Sequence, residues 1–170
     1  DHGSVGLEWL HTKRFTSTDN AYAIDIYRDL WARSYINLRY QDSPGVLYPD
    51  YAYRAEIFQG VGNGWEPAIS YDYMRFGDKG VKMYGIGLGK YWGNWYYRWK
   101  TLIIPSEPKT SVSNRILARN YYNGNADDYW EINGGFGRGG EYRRRSLIVE
   151  NTRSSSVGVA FQKFFGPQWG

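Results

Sequence analysis

Apolar and polar side chains alternate along most of this chain, and the apolar positions are rich in Tyr and Trp. The clearest stretch runs from position 95 to position 103. Because successive side chains of a β-strand point to opposite faces, one predicted face carries Trp95, Tyr97, Trp99, Thr101 and Ile103. The other face carries Tyr96, Arg98, Lys100 and Leu102. An apolar face opposite a charged one is what a transmembrane β-barrel requires.

About ten such strands are predicted, separated by turn-forming Gly, Pro, Asn, Asp and Ser. They cover positions 5–15, 21–31, 35–41, 51–59, 66–76, 81–92, 95–103, 113–122, 127–137 and 155–165. At about ten residues each, they are long enough to cross a bilayer at a tilt, and the short connections favour an antiparallel meander. The polar stretch 138–153 is expected to hold the loop residues Arg143, Arg144 and Arg145 and one short strand at 147–149.

Alternation alone leaves two interpretations open. In a soluble β-sandwich or lipocalin-like barrel the apolar face points inward, whereas in a membrane barrel it meets lipid. Tyr and Trp have polar tips and are favoured at the headgroup level of membranes. The opposite face mixes Gly with charges of both signs, which suits a narrow polar lumen. We therefore expect an all-β fold, an antiparallel up-and-down transmembrane β-barrel.

Composition agrees with a barrel and argues against several other classes. Aromatic residues make up 19% of the chain, yet the mean hydropathy is −0.64. No apolar run approaches the roughly 18 residues of a transmembrane helix. The absence of Cys excludes disulfides and thiolate metal sites. The net charge of +4 is spread along the chain, so we expect no nucleic-acid partner.

The assignment of faces predicts two sets of functional residues. The expected lumen set contains charged side chains from neighbouring strands, namely Asp72, Arg98, Lys100, Arg115, Arg119 and Glu131. The expected lipid-facing set contains aromatic side chains, namely Tyr71, Tyr73, Trp95, Tyr97, Trp99 and Trp130. The lumen set is a polar path, a site for an anionic glycan, or a group of ion pairs that fills a closed barrel.

Other motifs indicate little chemistry. Gly85, Gly87 and Gly89 lie on one face of a strand, outside the strand–turn–helix context of a nucleotide loop, so we expect them to make room inside a narrow barrel. His2 and His11 lack the spacing of metal ligands. A hydrolase would need His11 beside a Ser and a carboxylate. We expect no catalytic residue, no metal and no cofactor.

Four segments carry a resemblance to a known family: positions 69–76, 97–100, 128–139 and 156–165. With these pieces in this order, the chain resembles the YaiO-type outer-membrane β-barrel domain. The resemblance implies an integral outer-membrane barrel of a Gram-negative bacterium, with a role in envelope transport or assembly. Related barrels are linked to exopolysaccharide export. The resemblance brings no catalytic residues.

Residues 1–170 are expected to form one barrel domain. About two more strands would close the sheet, giving about twelve, so we expect either a fragment or a sheet that a partner closes. The expected partners are outer-membrane lipid or lipopolysaccharide, other envelope proteins, or an exported glycan. The alternatives are a structural or interaction barrel with a plugged lumen, and a soluble aromatic-rich carbohydrate-binding β-domain.

Overall fold

The computed structural model describes residues 3–14, 17–45, 47–105, 110–124, 126, 128–143 and 148–163. Ten strands form one sheet: β1 (Gly3–Arg14), β2 (Ser17–Asp29), β3 (Ser34–Asp42), β4 (Tyr51–Gln59), β5 (Trp65–Phe76), β6 (Lys79–Trp92), β7 (Trp95–Ile104), β8 (Ser111–Tyr121), β9 (Tyr129–Arg143) and β10 (Ile148–Gln162). Each strand pairs antiparallel with the next, so the order in the sheet is the order in the chain. The predicted all-β, up-and-down antiparallel fold is confirmed. None of the described residues belongs to a helix long and apolar enough to cross a membrane.

Glycine opens two of the two-residue turns of the meander. Gly77, with φ of 55°, begins the two-residue turn between β5 and β6, and Gly93, with φ of 57°, begins the one between β6 and β7. A side chain with a Cβ is disfavoured at these left-handed φ values, which two-residue hairpin turns of this kind require. The turn residues therefore fix the register of the central hairpins.

The largest departure from the sequence-based prediction lies in the last hairpin. β9 continues to Arg143 and β10 begins at Ile148, so most of the polar stretch 138–153 is strand. Arg143, expected in a loop, ends a strand, and Val149 belongs to β10 itself. Apolar alternation ends near position 138, but backbone pairing needs no apolar side chains, so the pattern could not reveal the extension. The remaining loop prediction, at 144–147, lies outside the described residues.

The polar side of the sheet is concave. Arg98 of β7 reaches Glu56 of β4 across two intervening strands, with a nitrogen–oxygen distance of 2.5 Å. In a flat sheet, three steps between strands span about 14 Å. The polar side chains are therefore enclosed by the curvature, and the apolar side chains stand on the convex side. We call these two sides the polar face and the apolar face.

Within the described residues, the sheet is a half-barrel with two free edges. β1 and β10 each pair with one neighbour only, and both faces of these strands are exposed over most of their length. Leu7 is 83% exposed and Val157 is 84% exposed. Closure by about two further strands stays a prediction.

Candidate functional site: the polar face

A stripe of glycines on β6 makes room for the large polar side chains of β7. Gly85, Gly87 and Gly89 pair with Leu102, Lys100 and Arg98 in the sheet register. A Cβ built on Gly85 would lie 2.2 Å from Ser70 Oγ and 2.9 Å from Lys100 Cε, and a Cβ on Gly89 would lie 2.7 Å from the Tyr96 hydroxyl oxygen. A side chain at Gly85 or Gly89 would therefore force its neighbours to move, so these two glycines give the β7 side chains space to lie across β6.

Glu56 is the centre of one ion-pair group. Its Oε1 lies 2.5 Å from Arg98 Nη2 and 2.9 Å from Lys100 Nζ. Lys100 Nζ also lies 3.8 Å from Asp72 Oδ2, which accepts a hydrogen bond from Ser70 Oγ at 2.9 Å. Glu56 and Lys100 are both buried. Each buried charge therefore depends on its opposite partner, because an isolated buried charge is strongly unfavourable.

A second group joins β1 to β4. Arg39 binds Asp25 and Glu8, each with a nitrogen–oxygen distance of 2.5 Å. Asn37 is fully buried and bridges the group, because its Nδ2 donates to Asp25 at 3.2 Å and its Oδ1 accepts from Arg54 at 2.8 Å. Amide and carboxylate groups thus satisfy most of the donors on this part of the polar face.

Arg119 and Glu131 form a separate pair near the other end of the sheet. Nε and Nη2 of Arg119 both donate to Glu131 Oε2, at 3.0 and 2.7 Å, and Asn133 donates to the other carboxylate oxygen at 2.9 Å. The guanidinium also lies 4.0 Å from the centre of the Tyr129 ring. The six residues of the expected lumen set therefore all lie on the polar face, but they divide between this pair, the Glu56 group and an isolated Arg115.

Arg115 is the exception on the polar face, because no ion pair within the described part of the chain includes it. It lies directly opposite Lys100 on the neighbouring strand, and Gly135 lies on its other side. Lys100 turns away from Arg115 toward Glu56. The Nε atom of Arg54 is also buried without a hydrogen-bond partner.

These cations line one cavity of about 620 Å³ on the polar face. Four of its lining residues are basic: Arg54, Arg98, Lys100 and Arg115. Two are acidic, Glu56 and Glu131, and both are already engaged in ion pairs. The cavity thus has an excess of positive charge and a free guanidinium, which favours an anionic ligand.

The aromatic residues expected to face lipid all lie on the apolar face. Tyr97 and Trp99 are 39% and 50% exposed. The other four are partly covered, because they stack on one another and on neighbouring rings. The ring pairs are Tyr53–Tyr73, Tyr71–Tyr84, Trp95–Tyr97 and Trp95–Trp130, with centroids 5.1 to 5.7 Å apart.

The apolar band on this face runs obliquely to the rows of paired residues. One row begins at Val5, Ile26 and Leu38 on the first three strands and ends at Arg138 and Arg153 on the last two. The exposed apolar side chains centre on Leu7 in β1, beyond Val5, and on Val159 in β10, beyond Arg153 on a strand that runs the opposite way. The band therefore shifts by about eight residues, or about 26 Å, over nine strand spacings of about 4.8 Å, a slope of about 31°. A tilt between strands and band is a geometric requirement of a barrel in a membrane.

The structure lends no support to a hydrolase at His11. Its Nδ1 lies 2.9 Å from Asn20 Oδ1, and its ring packs against Trp9 on the apolar face. No Ser contacts His11 within the described residues. The same residues contain no cluster of three metal-binding side chains.

Alternation along the chain does not identify the buried pair formed by Glu66 and Tyr96. The Tyr96 hydroxyl donates to Glu66 Oε1 at 2.9 Å, and both residues are buried at one rim of the polar face. Glu66 stands at the start of a strand beside Pro67, where alternation gives little information. Its place opposite Gly89 in the register is the signal that could have identified it.

A meander of tilted strands with a charged concave face and an aromatic convex face defines a membrane β-barrel domain. The model of one protein family, the YaiO membrane beta barrel domain, matches residues 1–141. Because the match covers most of the chain, this protein belongs to the YaiO membrane β-barrel family. No curated protein and no solved structure matches the chain. The resemblance noted at 156–165 lies outside the matched residues.

Proposed function

We propose that this protein is an integral outer-membrane barrel of a Gram-negative bacterium, and that its polar face forms a wet path for an anionic polymer, such as an exported polysaccharide. The role is transport or assembly in the envelope, not catalysis. Membership of a membrane β-barrel family supports the location. The soluble carbohydrate-binding alternative needs the apolar face inside, whereas Ile132 is 48% exposed and Glu131 only 7% exposed.

The observation that carries this proposal is that Arg115 forms no ion pair with any described residue and lines a cavity with three further cations. A carboxylate or phosphate group on a polymer could accept charge-assisted hydrogen bonds from the Arg115 guanidinium. Weak, repeated contacts of this kind let an anion enter and leave a pore. The four cations of the cavity wall outnumber its two carboxylates, so the net charge that the polymer meets is positive.

A plugged structural barrel is the second candidate, supported by the ion pairs that cross the concave side. Glu56 joins strands separated by two others, and such links can fill a lumen instead of lining it. The two candidates differ in one observable property, the passage of ions. Both place the protein in the outer membrane.

Conductance in planar bilayers separates the candidates. The protein is expected to give a conductance that favours anions in a KCl gradient, and short polyuronate chains are expected to block it. Arg115→Glu should move the reversal potential toward cation selectivity and weaken the block about tenfold, equivalent to about 1.4 kcal/mol. Arg28→Glu is the matched control, because Arg28 is exposed on the apolar face of β2.

Two results would contradict the path. Absence of conductance from correctly folded protein would favour the plugged barrel. An equal shift of reversal potential in Arg28→Glu and Arg115→Glu would show that overall charge, and not the cavity, sets the selectivity.

A further inference from the structure

Two arginines on the apolar face stand apart from the site described above. Arg138 of β9 and Arg153 of β10 are register partners, so their side chains leave adjacent strands at directly opposite positions. Both are exposed. Arg138 lies on the same face as Phe136 and Ile132, because these three positions of β9 are an even number of residues apart. Arg153 lies on that face too, as the register partner of Arg138. The pair therefore lies on the convex side, with the residues of the apolar band.

This arrangement is unfavourable without a ligand. Like charges directly opposite each other on paired strands repel, because their Cβ atoms are only about 5 Å apart. None of the ion pairs among the described residues includes either arginine, so no side chain shown there neutralises them. Two guanidinium groups at this spacing match the oxygens of a phosphate, which accepts several charge-assisted hydrogen bonds at once.

The surroundings of the pair are those of a lipid headgroup. Arg138 and Arg153 line a cavity of about 510 Å³ together with Val112, Phe136 and Ser155. They stand next after the exposed apolar side chains of this face, beyond Phe136 on one strand and beyond Val157 on the other. Cations at the border of an apolar band lie at headgroup depth when that band is in hydrocarbon.

An apolar groove lies on the same face, four residues and more from Arg138 toward the other end of β9. It measures about 610 Å³ and includes Ile116, Ile132, Gly134 and Val157. Gly134 has no side chain, so it leaves a gap between Ile116 on β8 and Val157 on β10. The arginine pair and the groove follow one another along the strand, in the order of the phosphate and the acyl chain of a lipid.

We propose that Arg138 and Arg153 bind the phosphate of a phosphorylated membrane lipid whose acyl chain lies in the groove over Gly134. This inference goes beyond the proposed transport function, because it concerns the opposite face. The lipid site does not depend on ion conduction, so an experiment that contradicts one proposal leaves the other untouched.

Lipid retention tests the site. The wild-type protein and the Arg138→Ala/Arg153→Ala double variant are refolded in a neutral sugar detergent and exposed to diphosphoryl lipid A, phosphatidylglycerol, diacylglycerol or inorganic phosphate. Native mass spectrometry then counts the bound molecules. We expect the wild type to retain lipid A or phosphatidylglycerol, and the double variant to retain about tenfold less, since both charge-assisted contacts are lost. Arg28→Ala should behave like the wild type.

Several results would overturn the site. Equal retention by the wild type and the double variant would do so, as would retention of diacylglycerol at the level of the phosphorylated lipids. Binding of inorganic phosphate as tight as that of the lipids would show that the groove contributes nothing.

A second measurement covers the case in which the double variant does not refold. Phenylglyoxal modifies accessible arginines, and peptide mass spectrometry locates the products. In the wild-type protein, phosphatidylglycerol or lipid A should protect Arg138 and Arg153 and leave Arg28 reactive. Equal modification of all three with and without phosphorylated lipid would contradict the proposal.

Discussion

The polar face has two regions that differ in how completely their charges are matched. Between β4 and β7, Glu56 and Asp72 satisfy Arg98 and Lys100 across the curvature of the sheet. Between β8 and β10, Arg115 faces a cavity bordered by glycine backbone and serine side chains. The first region is filled by its own ion pairs, and the second has space and an unmatched cation.

The difference separates a structural role from a binding role. In the first region, buried carboxylates neutralise the cations that lie across the glycines of β6. Removing one of these carboxylates would leave a buried cation without its partner. In the second region the cation is exposed to the cavity, so its removal costs the fold little. Substitutions that affect the two regions unequally therefore test this interpretation directly.

The largest effect is expected for Glu56→Ala. This change leaves Arg98 and Lys100 without their shared carboxylate, and breaking a buried pair costs about 3 kcal/mol or more. Arg115→Ala is the control in the second region, where the cation has no matching carboxylate, and its effect should stay within about 0.5 kcal/mol, as for other exposed side chains. Urea titration of the protein in lipid or detergent micelles, followed by Trp fluorescence, measures both.

Equal destabilisation by these two substitutions would show that Arg115 also has a structural partner. The distinction between a matched and an unmatched region would then be wrong.

A smaller effect is expected for Gly89→Ala. The added methyl group would lie 2.7 Å from the Tyr96 hydroxyl oxygen and 2.8 Å from a ring carbon, so the ring must move and its hydrogen bond to Glu66 is disturbed. Overpacking of this kind costs about 1–3 kcal/mol. Gly134→Ala on the apolar face is the matched control, since its Cβ would meet Ile116 Cγ1 at an ordinary 3.4 Å. The same urea titration should show no loss of stability for the control, and a larger loss in the control would contradict the glycine-stripe argument.

The faces of the strands could be predicted from the sequence because alternation is a local property. Arg98 and Trp99 are neighbours in β7, and the two-residue period of a strand alone sends them to opposite sides. The glycines of β6 could be interpreted in the same way. The turns at Gly77 and Gly93 are likewise set by local backbone preferences.

The partners of the charged residues could not be predicted, because they depend on register and curvature. Glu56 reaches β7 only because the sheet bends, and no local pattern contains that bend. Arg119 and Glu131, in contrast, are direct register partners and follow once β8 and β9 are aligned. The alternation pattern predicts β9 and β10 shorter than they are, because the outer half of their hairpin has no alternating apolar residues.

The central claim is that the apolar face meets lipid and the polar face encloses water. Because the chain has no Cys, single-cysteine variants can be labelled at one position each. Arg115 and Ile116 are consecutive residues of β8, so they lie at nearly the same depth in the membrane but on opposite faces of the sheet. The two variants are Arg115→Cys and Ile116→Cys. With spin labels in lipid bilayers, the label at 116 should be accessible to oxygen and shielded from a water-soluble nickel complex, and the label at 115 should show the reverse. Equal access of the nickel complex to both labels, or the opposite order, would contradict the account.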